Sequence, residues 1–157
     1  MSESALQLHN IPPVYDEYST RLILGSFPSV LSRRTDFFYG HPQNRFWKVL
    51  AEVFDCKVPV TVAEKRQLVL SHHLALFDVI ARCEIAGSAD SAIKNVVPNR
   101  LSPILNNSKI TEIFVNGKTA EKYYNKYLRS ETGIDCICLP SKNGQTAAFI
   151  SFLSVRM

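Results

Sequence analysis

No apolar stretch in the 157 residues approaches the length of a membrane-spanning helix. The first residues, Met1-Ser2-Glu3-Ser4, are polar and acidic, with no apolar signal core behind them. Both absences lead to the expectation of a soluble, cytoplasmic protein with no membrane partner. Cysteine is scarce: the four are Cys56, Cys83, Cys136 and Cys138, and none forms a C-x-x-C pair. On a strand Cys136 and Cys138 share a face, the usual place of reduced core thiols, so neither a disulfide nor a metal set is expected. His72 and His73 are adjacent, and on a helix they project about 100° apart, too far to share a metal. Nothing resembles G-x-G-x-x-G or a P-loop, which argues against a nucleotide cofactor. The missing G-x-S-x-G elbow weakens a serine-hydrolase reading. No cofactor of any kind is expected. There is also no internal repeat and no low-complexity linker, so one domain over 1–157 is the expectation.

What is present is ordinary globular composition, 46% hydrophobic and 20% charged, with a net charge of +4. That charge is compatible with a phosphate backbone as partner without requiring one. Residues 1–20, with Pro12 and Pro13, read as an irregular arm. Arg21 to Leu24 is a short apolar run ending in Gly25, the mark of a buried strand. The turn-rich Ser26-Phe27-Pro28-Ser29 stops it. From Asn44 the positions Phe46, Trp47, Val49, Leu50, Val53 and Phe54 recur at helical spacing. A second helix is predicted from about Thr61 to His72, and Leu74 to Ile80 fits either a strand or a short helix. Residues Gly87 to Ser91 are loop chemistry. Ile110 to Val115 reads as a strand ending at Asn116-Gly117, and Thr119 to Leu128 as a helix. Ile134 to Leu139 reads as a last strand, stopped by Pro140.

Apolar strands alternating with helices predict an α/β fold with a mainly parallel sheet between helices. Such sheets bind ligands beyond the carboxyl ends of their strands. Those ends are Gly25-Ser26-Phe27-Pro28, Asn116-Gly117 and Pro140-Ser141, which should line one cleft. The cleft would then hold amides, hydroxyls and aromatics: Asn116, Ser26, Ser141, Tyr39 and Asn44. Amides read donor and acceptor edges and a ring covers a π-face, an inventory suited to a flat heteroaromatic ligand.

Gly25-Ser26-Phe27-Pro28-Ser29, followed by Tyr39-Gly40-His41-Pro42-Gln43-Asn44-Arg45-Phe46-Trp47, resembles the uracil-DNA glycosylase superfamily. Within it the nearest likeness is to the hypoxanthine-DNA (deoxyinosine) glycosylases, and the mismatch-specific uracil glycosylases carry a similar His-Pro-x-Asn-Arg-Phe-Trp run. Gly87 to Lys94 and Ile113 to Lys118 are also similar to segments of the deoxyinosine family, so the likeness runs from about Arg21 to Ser141. It implies a three-layer α/β/α sandwich with a short, mainly parallel central sheet. It also implies an enzyme acting on DNA that flips a deaminated base from the duplex and hydrolyses its N-glycosidic bond; a monomer is expected. Hypoxanthine is the first candidate base and uracil the second. No lysine stands out as a Schiff-base nucleophile, so the expectation is a monofunctional glycosylase without lyase activity.

The resemblance also implies roles. Many superfamily members position the attacking water with an Asn or Asp in the first turn, where this chain has Phe27. Asn44 is the catalytic candidate, its carboxamide holding a water against the sugar; Asn is equally a favoured helix cap. Tyr39 matches a ring that stacks on the flipped base, and Asn116 stands where the base edge is read, with Ser26 and Phe27 beside it. Asn116 before Gly117 also suits a plain turn. Ser141, His41 and Arg45 are candidates for contact with DNA, although His41 also reads as a turn histidine and Arg45 and Lys48 as solvated charges. Phe46 and Trp47 are assigned to the core. Some superfamily members hold an iron-sulfur cluster with ligands before the first glycine turn; here all four cysteines follow Gly25, so none is expected.

After Ser141 the resemblance stops, and 142–157 reads as a divergent or truncated tail. A catalytically impaired DNA-binding relative therefore stands as an alternative. So does a small-molecule α/β hydrolase or nucleoside-binding protein.

Overall fold

The computed structural model describes residues 5–9, 11–27, 37–39, 45–85 and 93–139. Along the chain run β1 (Ala5–Leu8), β2 (Arg21–Gly25), α1 (Phe46–Val53), α2 (Val62–Ser71), β3 (Leu74–Asp78) and β4 (Ile80–Ile85). Then follow β5 (Ile93–Pro98), α3 (Ser102–Asn106), β6 (Glu112–Asn116), α4 (Lys118–Tyr123), α5 (Arg129–Thr132) and β7 (Cys136–Leu139). A π-helical turn, Tyr124–Leu128, joins α4 to α5 within the stretch predicted as one helix. The Tyr124 hydroxyl there is held by Thr132 at 2.6 Å and donates to the Ile134 carbonyl at 2.5 Å.

The central sheet has the order β3-β2-β6-β7 and is parallel throughout. Leu22, Ile23 and Leu24 are fully buried because β2 has a strand on each side and is covered on both faces. That is why the run is apolar without alternation. Helix α2 packs on β3, while α4 packs on β6 and β7, so the fold is α/β with helices flanking a parallel sheet. Leu74 to Asp78, open between two readings in the sequence, is a strand. Directly after it the chain turns into β4, which forms a second, antiparallel sheet of order β1-β4-β5.

The expectation of an irregular arm over 1–20 needs correction. Residues 5–8 form β1 and pair with β4. Val14 forms an antiparallel bridge to Leu76, with backbone bonds of 3.0 and 2.9 Å. The Ser19 hydroxyl donates to the Leu74 carbonyl at 3.1 Å. These contacts close the free edge of β3, which would otherwise expose a row of unpaired backbone groups. Ile11 and Val14 go into the core as part of the same contact.

Helix α1 buries Phe46, Trp47, Val49, Leu50 and Ala51, in agreement with the spacing of the apolar residues. Helix α2 begins with a reciprocal cap: Thr61 Oγ1 accepts from the Glu64 N–H and Glu64 Oε1 accepts from the Thr61 N–H, both at 3.0 Å. No helix among the described residues is long and apolar enough to cross a membrane.

Candidate active site

The register of the parallel sheet brings three strand ends side by side. Gly25 of β2 pairs with Asp78 of β3. On the other side Leu24 pairs with Val115, which puts Asn116 of β6 next to Gly25, and Asn116 in turn pairs with Leu139 of β7. Residues in register on parallel strands share a face, so Asp78, Gly25 and Asn116 form a row at the carboxyl edge. This is where open α/β sheets bind their ligands.

Gly25 is required here by close approach. A Cβ on it would lie 2.5 Å from Asp78 Oδ1 and 3.4 Å from the Tyr39 hydroxyl. Tyr39 reaches this point from a left-handed backbone, φ 54°, a conformation that costs a bulky L residue on the order of 1 kcal/mol. The aromatic run supports that strain. The Tyr39 ring stacks on Phe46 at 3.9 Å, Phe37 stacks on Trp47 at 5.9 Å, and Trp47 Nε1 donates to the Phe38 carbonyl at 3.2 Å. Helix α1 therefore carries the 37–39 segment. The Tyr39 ring is half-buried, but its hydroxyl oxygen is enclosed and has no hydrogen-bond partner among the described residues. Burial, then the negative charge of Asp78, pushes the Tyr39 pKa well above that of an ordinary phenol, so the hydroxyl keeps its proton. The nearby Asn116 side chain opposes the shift.

Behind this row stands a pair the sequence reading did not single out. His9 Nε2 lies 2.8 Å from Asp78 Oδ2, and the two side chains are 3% and 5% exposed. A carboxylate only accepts, so Nε2 carries the proton in this contact. The His9 ring sits among Phe77 at 5.0 Å, Phe27 at 6.0 Å and Phe38 at 6.1 Å. The backbone at Asp78 is equally constrained. Asn99 Nδ2 donates to the carbonyls of Asp78 (2.8 Å) and Ile80 (3.2 Å). The Val79 and Ile80 N–H groups donate to Gly25 and Ser26 at 2.8 and 3.0 Å. Asp78 escaped notice because its strand could not be told from a helix. The available signal was a carboxylate closing an otherwise apolar run. For His9, 69 residues away, no local signal exists.

The sequence-predicted residues divide as follows. Tyr39 reaches over Gly25, and the Asn116 side chain lies near its hydroxyl. Ser26 and Phe27 follow β2, half-buried, with Phe27 packed on the core and edge-on to His9. Arg45 and Lys48 are exposed. Arg45 holds the N-cap position of α1 without a side-chain cap bond, and its carbonyl accepts from the Val49 N–H at 2.9 Å. Asn44, His41 and Ser141 lie outside the described residues.

No protein-family model matches the chain. A protein of Methanosarcina acetivorans named hypoxanthine DNA glycosylase is 33% identical over 140 residues, covering 88% of this chain and 87% of its own length. A Methanosarcina barkeri protein of the same name is 28% identical over 156 residues, covering 92% of this chain and 99% of its own. Among solved structures, the solution NMR structure of a Methanosarcina acetivorans protein described as a uracil DNA glycosylase superposes with a TM-score of 0.81. It is 26% identical, and the match covers 95% of this chain and 97% of that one.

Proposed function

The chain belongs to the hypoxanthine-DNA glycosylase family, and on that premise we propose that it removes a deaminated base from DNA by hydrolysing the N-glycosidic bond. The base is hypoxanthine first and uracil second, and the protein acts as a cytoplasmic monomer and as a monofunctional glycosylase. The observation that carries this reading is the convergence of a neutral phenol and a carboxylate over Gly25, with the Asn116 side chain beside the phenol. Those groups suit the polar edge of a flat heterocycle, and Phe27 with the Tyr39 ring supplies aromatic wall. A base leaves the duplex stack at a cost of a few kcal/mol, least where its pair is mismatched, and such a pocket recovers that cost.

In this proposal water attacks C1′ of the deoxyribose as the C1′–N bond breaks; the base departs with the bonding electrons and takes up, through solvent, the proton that the water releases. Asn44 holds the water by its carboxamide oxygen, and Asn116 and Ser26 contact the base edge. Arg45, His41 and Ser141 contact the DNA backbone. The test uses labelled oligonucleotides carrying one inosine or one uracil, followed by alkaline cleavage of abasic sites. Wild-type protein yields cleaved product and Asn44→Ala yields none. Tight binding without product would assign the chain to inactive DNA-binding relatives, and neither binding nor product would overturn the reading.

A further inference from the structure

Deamination reverses one edge of a base. Adenine presents an amino donor beside the acceptor N1; hypoxanthine presents the acceptor O6 beside an N1–H donor. Cytosine and uracil differ in the same way at the 4-position and N3. A site that selects the deaminated form therefore needs a donor beside an acceptor, and the acceptor must not be able to turn into a donor. A carboxamide can turn over and exchange its oxygen for its NH2; a carboxylate cannot.

We propose that Asp78, oriented by His9, and the Tyr39 hydroxyl are this acceptor and donor, so that the site selects bases with an O=C–N–H edge over their amino counterparts. The inference rests on the glycosylase reading above and adds what chooses the base. Asp78 Oδ1 and the Tyr39 hydroxyl both lie within 3.4 Å of the point where a Gly25 Cβ would sit. Two hydrogen-bonding atoms that converge on one point can be met together by one edge of a flat ring. His9 occupies the other carboxylate oxygen, Oδ2, and so keeps Oδ1 turned toward Gly25. The phenol oxygen is enclosed and has no hydrogen-bond partner among the described residues, so its donor is uncommitted. Its ring already has Phe46 against one face, so Tyr39 serves through its hydroxyl as well as its ring. Asp78 and Tyr39 are specificity-determining residues in this account, and His9 is a positioning residue.

The experiment measures two quantities for each protein: binding of free hypoxanthine against free adenine by calorimetry, and base release from oligonucleotides containing inosine or adenosine. The variants are Asp78→Asn, Tyr39→Phe, His9→Ala and His9→Gln, each checked for folding by circular dichroism. Tyr39→Phe removes an unpartnered oxygen and keeps the ring, so it remains informative if a change at Asp78 unfolds the chain. Wild type prefers hypoxanthine in both measurements. Asp78→Asn and Tyr39→Phe lower that preference about tenfold or more, the loss of one hydrogen bond. His9→Ala behaves like Asp78→Asn, and His9→Gln, which restores an N–H donor, regains part of the preference. A merely structural His9 would lower activity without moving the ratio.

Unchanged ratios in folded Asp78→Asn and Tyr39→Phe overturn the inference, as does a wild type without preference. Release of hypoxanthine from DNA by wild type with those ratios unchanged leaves the glycosylase reading standing and removes this one. Loss of the free-base preference in the variants, with no release from DNA by wild type, does the reverse.

Discussion

Tyr39→Phe takes one oxygen from a ring whose stacking on Phe46 is left in place. That oxygen is enclosed and has no partner among the described residues of the folded protein, whereas in the unfolded chain it bonds to water. A buried hydroxyl left unsatisfied costs about 1–3 kcal/mol. Returning about 1 kcal/mol of that to a chain of 157 residues raises the Tm by roughly 2–4 °C. The left-handed backbone at Tyr39 is not relieved, so the gain stays at the lower end. Alkali gives a second readout. Burial and Asp78 raise the Tyr39 pKa, so the folded protein keeps this proton after the unfolded chain has released it. The stability tied to that difference is fully present below the ordinary value of 10.0 and is lost as the pH rises above it. The Phe variant should therefore lose less stability than wild type above that pH. The assay is thermal and denaturant unfolding followed by circular dichroism at neutral and alkaline pH, with m unchanged to confirm two-state comparison. A fall in stability of 1 kcal/mol or more at neutral pH would refute the reasoning, since the hydroxyl would then have to be bonded in the folded state, with Asn116 the group at hand. Greater stability together with poorer base selection is the signature of a donor kept unsatisfied for its ligand.

Gly25→Ala places a methyl 2.5 Å from Asp78 Oδ1, a carboxylate fixed by His9, and should destabilise by about 1–3 kcal/mol and abolish base release, measured by urea unfolding and the oligonucleotide assay. Trp47→Phe removes the donor to the Phe38 carbonyl and loosens the segment that carries Tyr39. A cost of about 1–3 kcal/mol with reduced activity is expected in the same two assays. Thr61→Ala breaks the α2 cap far from the site, so a loss of about 1 kcal/mol in chemical denaturation with unchanged activity is expected. The Thr61 backbone N–H, accepted by the Glu64 carboxylate, holds the Glu64 pKa below the ordinary glutamate range. The cap's contribution is thus present above that range and lost as the pH falls through the lowered value, a dependence that Glu64→Gln should remove from acid unfolding curves and that Thr61→Ala, which keeps the backbone N–H, should largely retain.

Much of this was legible before any coordinates. The run Leu22 to Leu24 is buried on both faces because its strand is central, and a central parallel strand is written as continuous apolar residues. The aromatic run is equally local: Phe46 and Trp47 take the buried side of α1, which explains both their spacing and the support they lend Tyr39. Asn116 at a strand end followed from where the apolar run stops. Other features had no local trace. The 74–78 segment is short and wholly apolar, and periodicity cannot separate a buried strand from a buried helix at that length. Residues 11–20 looked irregular because what orders them is the exposed edge of β3, a partner more than fifty residues away in the chain.

The sequence by itself determined the parallel α/β sheet, the glycine turn and aromatic run that identify the family, and the strand ends at which a ligand site would form. Those are patterns of neighbouring residues, and short-range sterics and burial suffice to set them. Only the tertiary structure decided that His9 pairs with Asp78 and that a neutral Tyr39 hydroxyl waits unpartnered above Gly25. That pairing depends on the register of β2 against β3 and on the docking of the first strand, long-range contacts whose geometry no local pattern encodes.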